Sequence, residues 1–121
     1  LKITPIAVNH VDKTDGFILE DKDSAKKIVY LPDLYSISEQ TTQAIKGVDV
    51  LILDSTYLGS DISDDATHLK NNQFAEFLSK ISAHEIILTG IGSYHGLSHK
   101  DLVKKYPQYT ICYDGMKRKY K

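Results

Sequence analysis

Hydrophobic and polar positions alternate along the chain in short blocks that change period several times. Lys2 to Val8 (KITPIAV) alternates in part and is rich in β-branched residues, which predicts a strand, with Pro5 marking an edge or an irregularity. The polar stretch His10–Asp15 predicts a loop. Gly16–Glu20 and Lys27–Leu31 predict a hairpin around the charged turn DKDSAK. Ser38–Lys46 reads as a helix, with Ser36 or Ser38 as its N-cap and Gly47 as its stop. Val48–Asp54 (VDVLILD) is nearly continuous in apolar residues, the pattern of a strand covered on both faces.

Gly59–Thr67 is a polar loop rich in Ser and Asp. A second helix is predicted over Leu69–Ile81, because Phe74, Phe77, Leu78 and Ile81 recur at i, i+3, i+4 and i+7. Glu85–Thr89 (EIILT) reads as another buried strand and runs into a loop containing Gly90, Gly92 and Gly96. Ser98 followed by Asp101 opens a third, short helix that ends at Lys105, before Pro107. Tyr109–Tyr113 is a last strand before a DGM turn and the basic tail Lys117, Arg118, Lys119 and Lys121. That tail is a solvated terminus, the start of one more strand through Tyr120, or a phosphate contact. Strands that alternate with helices after an opening hairpin imply an α/β fold.

Composition narrows the function classes. The 121 residues are one domain's worth, and 41% hydrophobic with 26% charged is ordinary for a globular chain. Fifteen Lys plus Arg against sixteen Asp plus Glu give a formal charge of -1. Neither a DNA-coating nor a membrane-adsorbing surface is expected from that balance. The single Cys112 excludes an intramolecular disulfide framework and a Cys-rich zinc site, and the expected compartment is a reduced, cytoplasmic one. Leu1 already stands inside a strand pattern, so the sequence reads as though entered in its middle.

Polar residues of useful chemistry fall at the predicted strand ends: His10, Asp33, Asp54 and the glycine-rich loop after Thr89, with His68 just before the second helix. A strand aims the side chains at its end, and ligand sites of α/β sheets gather there. Taken singly, each also has an ordinary reading as a solvated histidine, an N-cap or a turn aspartate. Spacing alone supports an α/β domain carrying a metal or acid–base cluster.

The ordered set ITPIAVNH, GFILE, IVYLPD, VDVLILD, the His68 segment, EIILT and the ending YDGM resembles the second half of the metallo-β-lactamase fold. It is most similar to the phosphoribosyl cyclic phosphodiesterases, and more weakly, through LDSTYL and the His68 region, to the 3′-tRNA-processing endonucleases. The resemblance implies a fold that is half of an αββα sandwich, a mixed sheet with helices packed on it, over residues 1–121. It implies that His10 stands where the family has a metal-binding histidine, and Asp33 where an aspartate bridges two metals. A bridging carboxylate holds two ions about 3.5–4 Å apart, and imidazole with carboxylate suits Zn²⁺, Mn²⁺ or Fe²⁺. His68 matches a histidine near the scissile bond that serves as general acid, and Asp54 is placed to orient it. A phosphodiester is the implied substrate.

Departures from the family pattern are equally specific. Its His-x-His-x-Asp-His motif is absent from these residues, whose histidines are His10, His68, His84, His95 and His99. Gly90 stands where the last metal histidine would follow Thr89. His95 matches a second, less central histidine of that loop with two residues inserted; it is either a substitute metal ligand or an ordinary loop residue. His84 and His99 receive no role. Two ligands, His10 and Asp33, fall short of the three that a catalytic zinc site normally has, so weak binding of Zn or Mn and little or no hydrolysis are expected from this chain alone. Two readings follow: part of a metal-dependent phosphodiesterase, or a non-catalytic descendant that binds or assembles. Half of a sandwich leaves an apolar sheet face, so a homodimer or a complementary N-terminal half is the expected partner.

Overall fold

The structure, a computed structural model, describes residues 1–64 and 67–120. Asp65 and Ala66 of the expected polar loop, and Lys121 of the basic tail, lie outside the described residues. Six strands form one sheet whose spatial order is the chain order: β1 Lys2–Ala7, β2 Asp15–Glu20, β3 Lys27–Leu31, β4 Val50–Asp54, β5 Glu85–Thr89 and β6 Thr110–Ile111. β1, β2 and β3 pair antiparallel, and β3 through β6 pair parallel. Between the parallel strands lie α1 Glu39–Ile45, α2 Phe74–Ile81 and α3 His99–Lys105.

Local chemistry explains these boundaries. The Asp21 carboxylate accepts hydrogen bonds from the Ser24 N–H at 2.8 Å and the Ser24 hydroxyl at 2.6 Å, which closes the β2–β3 turn. Those bonds hold the Asp21 carboxyl below the usual carboxylate range. Ser38, rather than Ser36, caps α1 by accepting from the Thr41 N–H, and Ser98 caps α3 by accepting from the Asp101 N–H. The second helix begins later than Leu69. Gln73 accepts from the Lys70 N–H at 3.0 Å within a 3₁₀ turn over Asn71–Gln73, and α2 follows it. β6 is shorter than Tyr109–Tyr113: among the described residues it pairs only with β5, the Cys112 N–H makes the last bond to Leu88 O at 3.0 Å, and the chain turns at Asp114–Gly115. No strand forms from the tail among the described residues.

Successive parallel strands laid down in one direction, each joined by the same-handed crossover, put every helix on one face of the sheet. That face carries the core: Val29, Leu31, Leu51, Leu53, Leu88 and Ile111 pack against Ile45 of α1, Phe74, Leu78 and Ile81 of α2, and Leu102 of α3. The opposite face is the row Pro5, Phe17, Tyr30, Ile52, Ile87 and Thr110, matched across all six strands. Here the expectation of a strand covered on both faces is met only in part. Phe17 and Tyr30 are exposed and Ile52 is half-buried. Tyr113, Met116, Arg118 and Tyr120 line a hollow of about 750 Å³ over Ile28, Ile52 and Ile87, and Arg118 pairs with Glu85.

Candidate metal centre at one edge of the sheet

The topology brings the separated candidates together. β1 runs parallel to β3, so the C-terminal ends of β1, β3, β4 and β5 share one edge. His10 follows β1, Asp33 follows β3, Asp54 ends β4 and Gly90 follows β5. The His10 segment is fixed to the Asp33 loop by backbone bonds from Asn9 N–H to Ser36 O (2.9 Å) and from Tyr35 N–H to Asn9 O (2.7 Å). A side-chain bond from Asn9 Nδ2 to Ser36 Oγ (2.9 Å) reinforces them. Neither Asn9 nor Ser36 carries a sequence signal for this role, since the contact joins residues 27 apart.

His68 arrives from the long β4–α2 connection. Leu58 and Leu69 are buried in the core, the Gly59 N–H donates to Asn71 Oδ1 at 2.8 Å, and the Tyr57 hydroxyl lies 3.4 Å from Thr67 Oγ1. The His68 ring meets Tyr57 edge-on with centroids 5.4 Å apart, and meets His10 in the same manner at 5.4 Å.

At the centre, His68 Nδ1 lies 2.6 Å from Asp54 Oδ2. The Asp54 side chain is 1% exposed and also accepts from the Leu34 N–H, the Thr56 N–H and the Thr56 hydroxyl at 3.2, 3.1 and 2.7 Å. Every partner is a donor, so the carboxylate accepts a hydrogen bond from the Nδ1–H of His68, which leaves the ring's lone pair on Nε2. Asp54 orients the imidazole, fixes its tautomer, and ties together the loops after β3 and β4. Thr56, whose hydroxyl makes the shortest of the three further bonds to Asp54, was not singled out in the sequence; its signal is the Asp-x-Thr spacing in LDST.

One ligating atom from each of His10, Asp33 and His68 lies within 4.8 Å of the other two. Both ring nitrogens of His10 are shielded from solvent and have no hydrogen-bond partner among the described residues. An unsatisfied buried polar group costs about 1–3 kcal/mol, and a divalent cation on one nitrogen relieves part of that cost. The donor set of two imidazoles and a carboxylate therefore fits a metal.

His95 stands apart from this group. Its Nδ1 accepts from the Leu97 N–H at 2.8 Å, and its Cβ lies 2.8 Å from where a Cβ on Gly59 would stand. Gly90 has a φ of +61°, and a Cβ placed there would meet only Asp54 Oδ1, at 3.8 Å. His84 lies at the opposite edge, 3.9 Å from Asp49, and His99 stacks edge-on against Tyr113.

The mixed sheet carries its helices on one face and a His–Asp cluster at its strand ends. The chain belongs to the beta-lactamase superfamily, whose domain matches residues 1–91. Among solved structures it is similar to a diphosphatase of the PhnP family, at 22% identity with a TM-score of 0.77, covering 98% of this chain and 43% of that one. The short form of human tRNase Z is similar at 20% identity with a TM-score of 0.71, covering 94% and 41%. Zn²⁺-bound PqqB from Methylobacterium extorquens is similar at 17% identity with a TM-score of 0.69, covering 94% and 48%. The chain thus spans less than half the length of each. No curated protein matches it. No helix among the described residues is long and apolar enough to cross a membrane.

Proposed function

We propose that these residues form part of the centre of a metal-dependent phosphodiester hydrolase. The observation that supports this most directly is the contact of His68 with the buried Asp54, 2.6 Å apart, set beside His10 and Asp33 at one sheet edge. His10 and Asp33 would hold a divalent cation such as Zn²⁺ or Mn²⁺. When bound, that ion supplies Lewis-acid polarisation of a phosphoryl oxygen. His68, oriented through Nδ1, would first take up a proton at Nε2 and, as the imidazolium held by Asp54, deliver it to the departing oxygen, returning to the neutral ring. Tyr57 packs edge-on against the imidazole and limits its rotation.

The ligand set is short for that reaction, and further donors must come from outside these residues, on the same chain or on a partner. The exposed row containing Phe17 and Tyr30 is the surface on which a complementary sheet, or a second copy, would seat. Hydrolysis of bis(p-nitrophenyl) phosphate with added Zn²⁺ or Mn²⁺ is the test. The chain alone should stay at the background rate. Addition of a segment bearing His-x-His-x-Asp-His should raise the rate, and His10→Ala and His68→Ala should each abolish the gain. Gly90 supports a second reading, a non-catalytic module for binding or assembly. That reading prevails if complementation yields no rate, or if the gain survives both substitutions.

A further inference from the structure

We propose that His10, Asp33 and His68 together hold one divalent cation, with His68 as a full metal ligand through Nε2. This rests on the reading of His10 and Asp33 as metal ligands and adds a third donor to it. A ligand count from the sequence stops at two, because His68 matches a proton-transfer position. The structure brings its ring to 5.4 Å from the ring of His10 and places donor atoms of all three residues within 4.8 Å of one another.

Three features of this chain support the assignment. First, the two shielded nitrogens of His10 lack partners among the described residues, which is the state of an imidazole that awaits a cation. Second, the Asp54–His68 bond puts the Nδ1 proton on the carboxylate side and presents the Nε2 lone pair, the carboxylate–histidine pairing that raises ligand basicity at metal sites. Third, Asp33 is exposed, so its carboxylate can adjust, and the cation has an entry path from solvent. Donors on one ion with bonds of about 2.0–2.2 Å stand about 3–4 Å apart. The three side chains therefore need to draw together by about 1–2 Å from the 4.8 Å limit.

Two histidines and one carboxylate on one side of an ion leave its remaining positions open and suit Zn²⁺, Mn²⁺ or Fe²⁺. A cation held this way occupies the lone pair of His68. The metal-loaded chain then lacks a proton carrier, and ligands from elsewhere must draw the ion away from His68 before that histidine can act on a leaving oxygen.

The test is calorimetric titration of the 121-residue chain with Zn²⁺, together with ¹H–¹⁵N correlation spectra of the histidine rings. One ion per chain is expected, with the Nε2 resonances of His68 and a ring nitrogen of His10 shifting on loading. His10→Ala, Asp33→Ala and His68→Ala should each weaken binding by about tenfold or more, and Asp54→Asn by about 10–100-fold. His68→Gln, followed by circular dichroism, is run beside the alanine variant; if both unfold, the ring spectra of the unaltered chain decide. The proposal is overturned if no saturable binding occurs, if affinity is unchanged in folded His68 variants, or if His68 Nε2 does not shift. Binding lost in His10→Ala but kept in His68→Ala removes this proposal and leaves the hydrolase reading standing. Three-ligand binding without complemented hydrolysis does the reverse.

Discussion

At the residue scale, Asp54 joins structure to chemistry. It is buried among four donors, one of which is the imidazole of His68. In Asp54→Asn one amide face donates where the site supplies only donors, so a buried bond is lost and His68 loses its fixed tautomer. We expect a loss of about 1–3 kcal/mol in denaturant unfolding, in addition to the weaker metal binding. Gly90→Ala should be tolerated sterically, since nothing but Asp54 Oδ1 lies near, yet it adds a side chain at φ +61°. Gly90→His should pay a similar backbone cost of about 1–2 kcal/mol and bring one more imidazole to the sheet edge. Zn²⁺ titration should then show about tenfold tighter binding, equivalent to ~1.4 kcal/mol. Unchanged affinity would mean that the added ring points away from the cluster.

At the scale of elements, caps and apolar stripes could be read directly, because each depends on residues three or four apart. Ser98 and the stripe Phe74, Leu78 and Ile81 needed nothing beyond the local chain, which also narrowed the cap of α1 to Ser36 or Ser38. The late start of α2 and the brevity of β6 were hidden, because both follow from partners elsewhere: Asn71 held by the Gly59 N–H, and a final strand with one neighbour. The candidate cluster divides in the same way. His10, Asp33, Asp54 and His68 were visible as residue types at strand ends, whereas the approach of His68 to His10 needed the whole β4–α2 connection. Leu78→Ala removes a buried face of α2 and should cost about 2–5 kcal/mol in chemical denaturation.

Asp49 makes a pH-dependent contribution at the same scale. The Lys27 N–H at 2.9 Å, aided by the Lys26 ammonium, holds its carboxyl below the usual carboxylate range. The lowered value means that its stabilisation is complete above the unfolded value and is lost as pH falls through the folded one. Asp49→Asn should therefore lower the melting temperature at neutral pH, and the gap to the unaltered chain should close in acid below the usual carboxylate range.

For the molecule as a whole, the asymmetry between the two sheet faces is decisive. Helices seal one face, while the other carries Phe17 and Tyr30 in the open and the C-terminal tail over its far end. Light scattering at tens of micromolar should show an assembly larger than one chain, and the double variant Phe17→Lys, Tyr30→Lys should return it to monomer with its circular dichroism unchanged. A monomer before substitution would show that the exposed row alone does not drive association. The fold class was legible because it depends on the order of elements, and that order survives without any knowledge of which face is open.

The in-sequence order of the six strands has a kinetic consequence. Each strand pairs with the one laid down before it, so no strand must wait for a distant segment to insert between two others. Loop-closure entropy is met in small, successive steps, which favours rapid refolding for a sheet with this many parallel pairs. The β1–β3 meander, closed by the Asp21–Ser24 turn, is the natural place for that growth to begin. On that order the candidate-site residues would be gathered one strand end at a time, with the Asp54–His68 contact closing after the β4–α2 connection has settled.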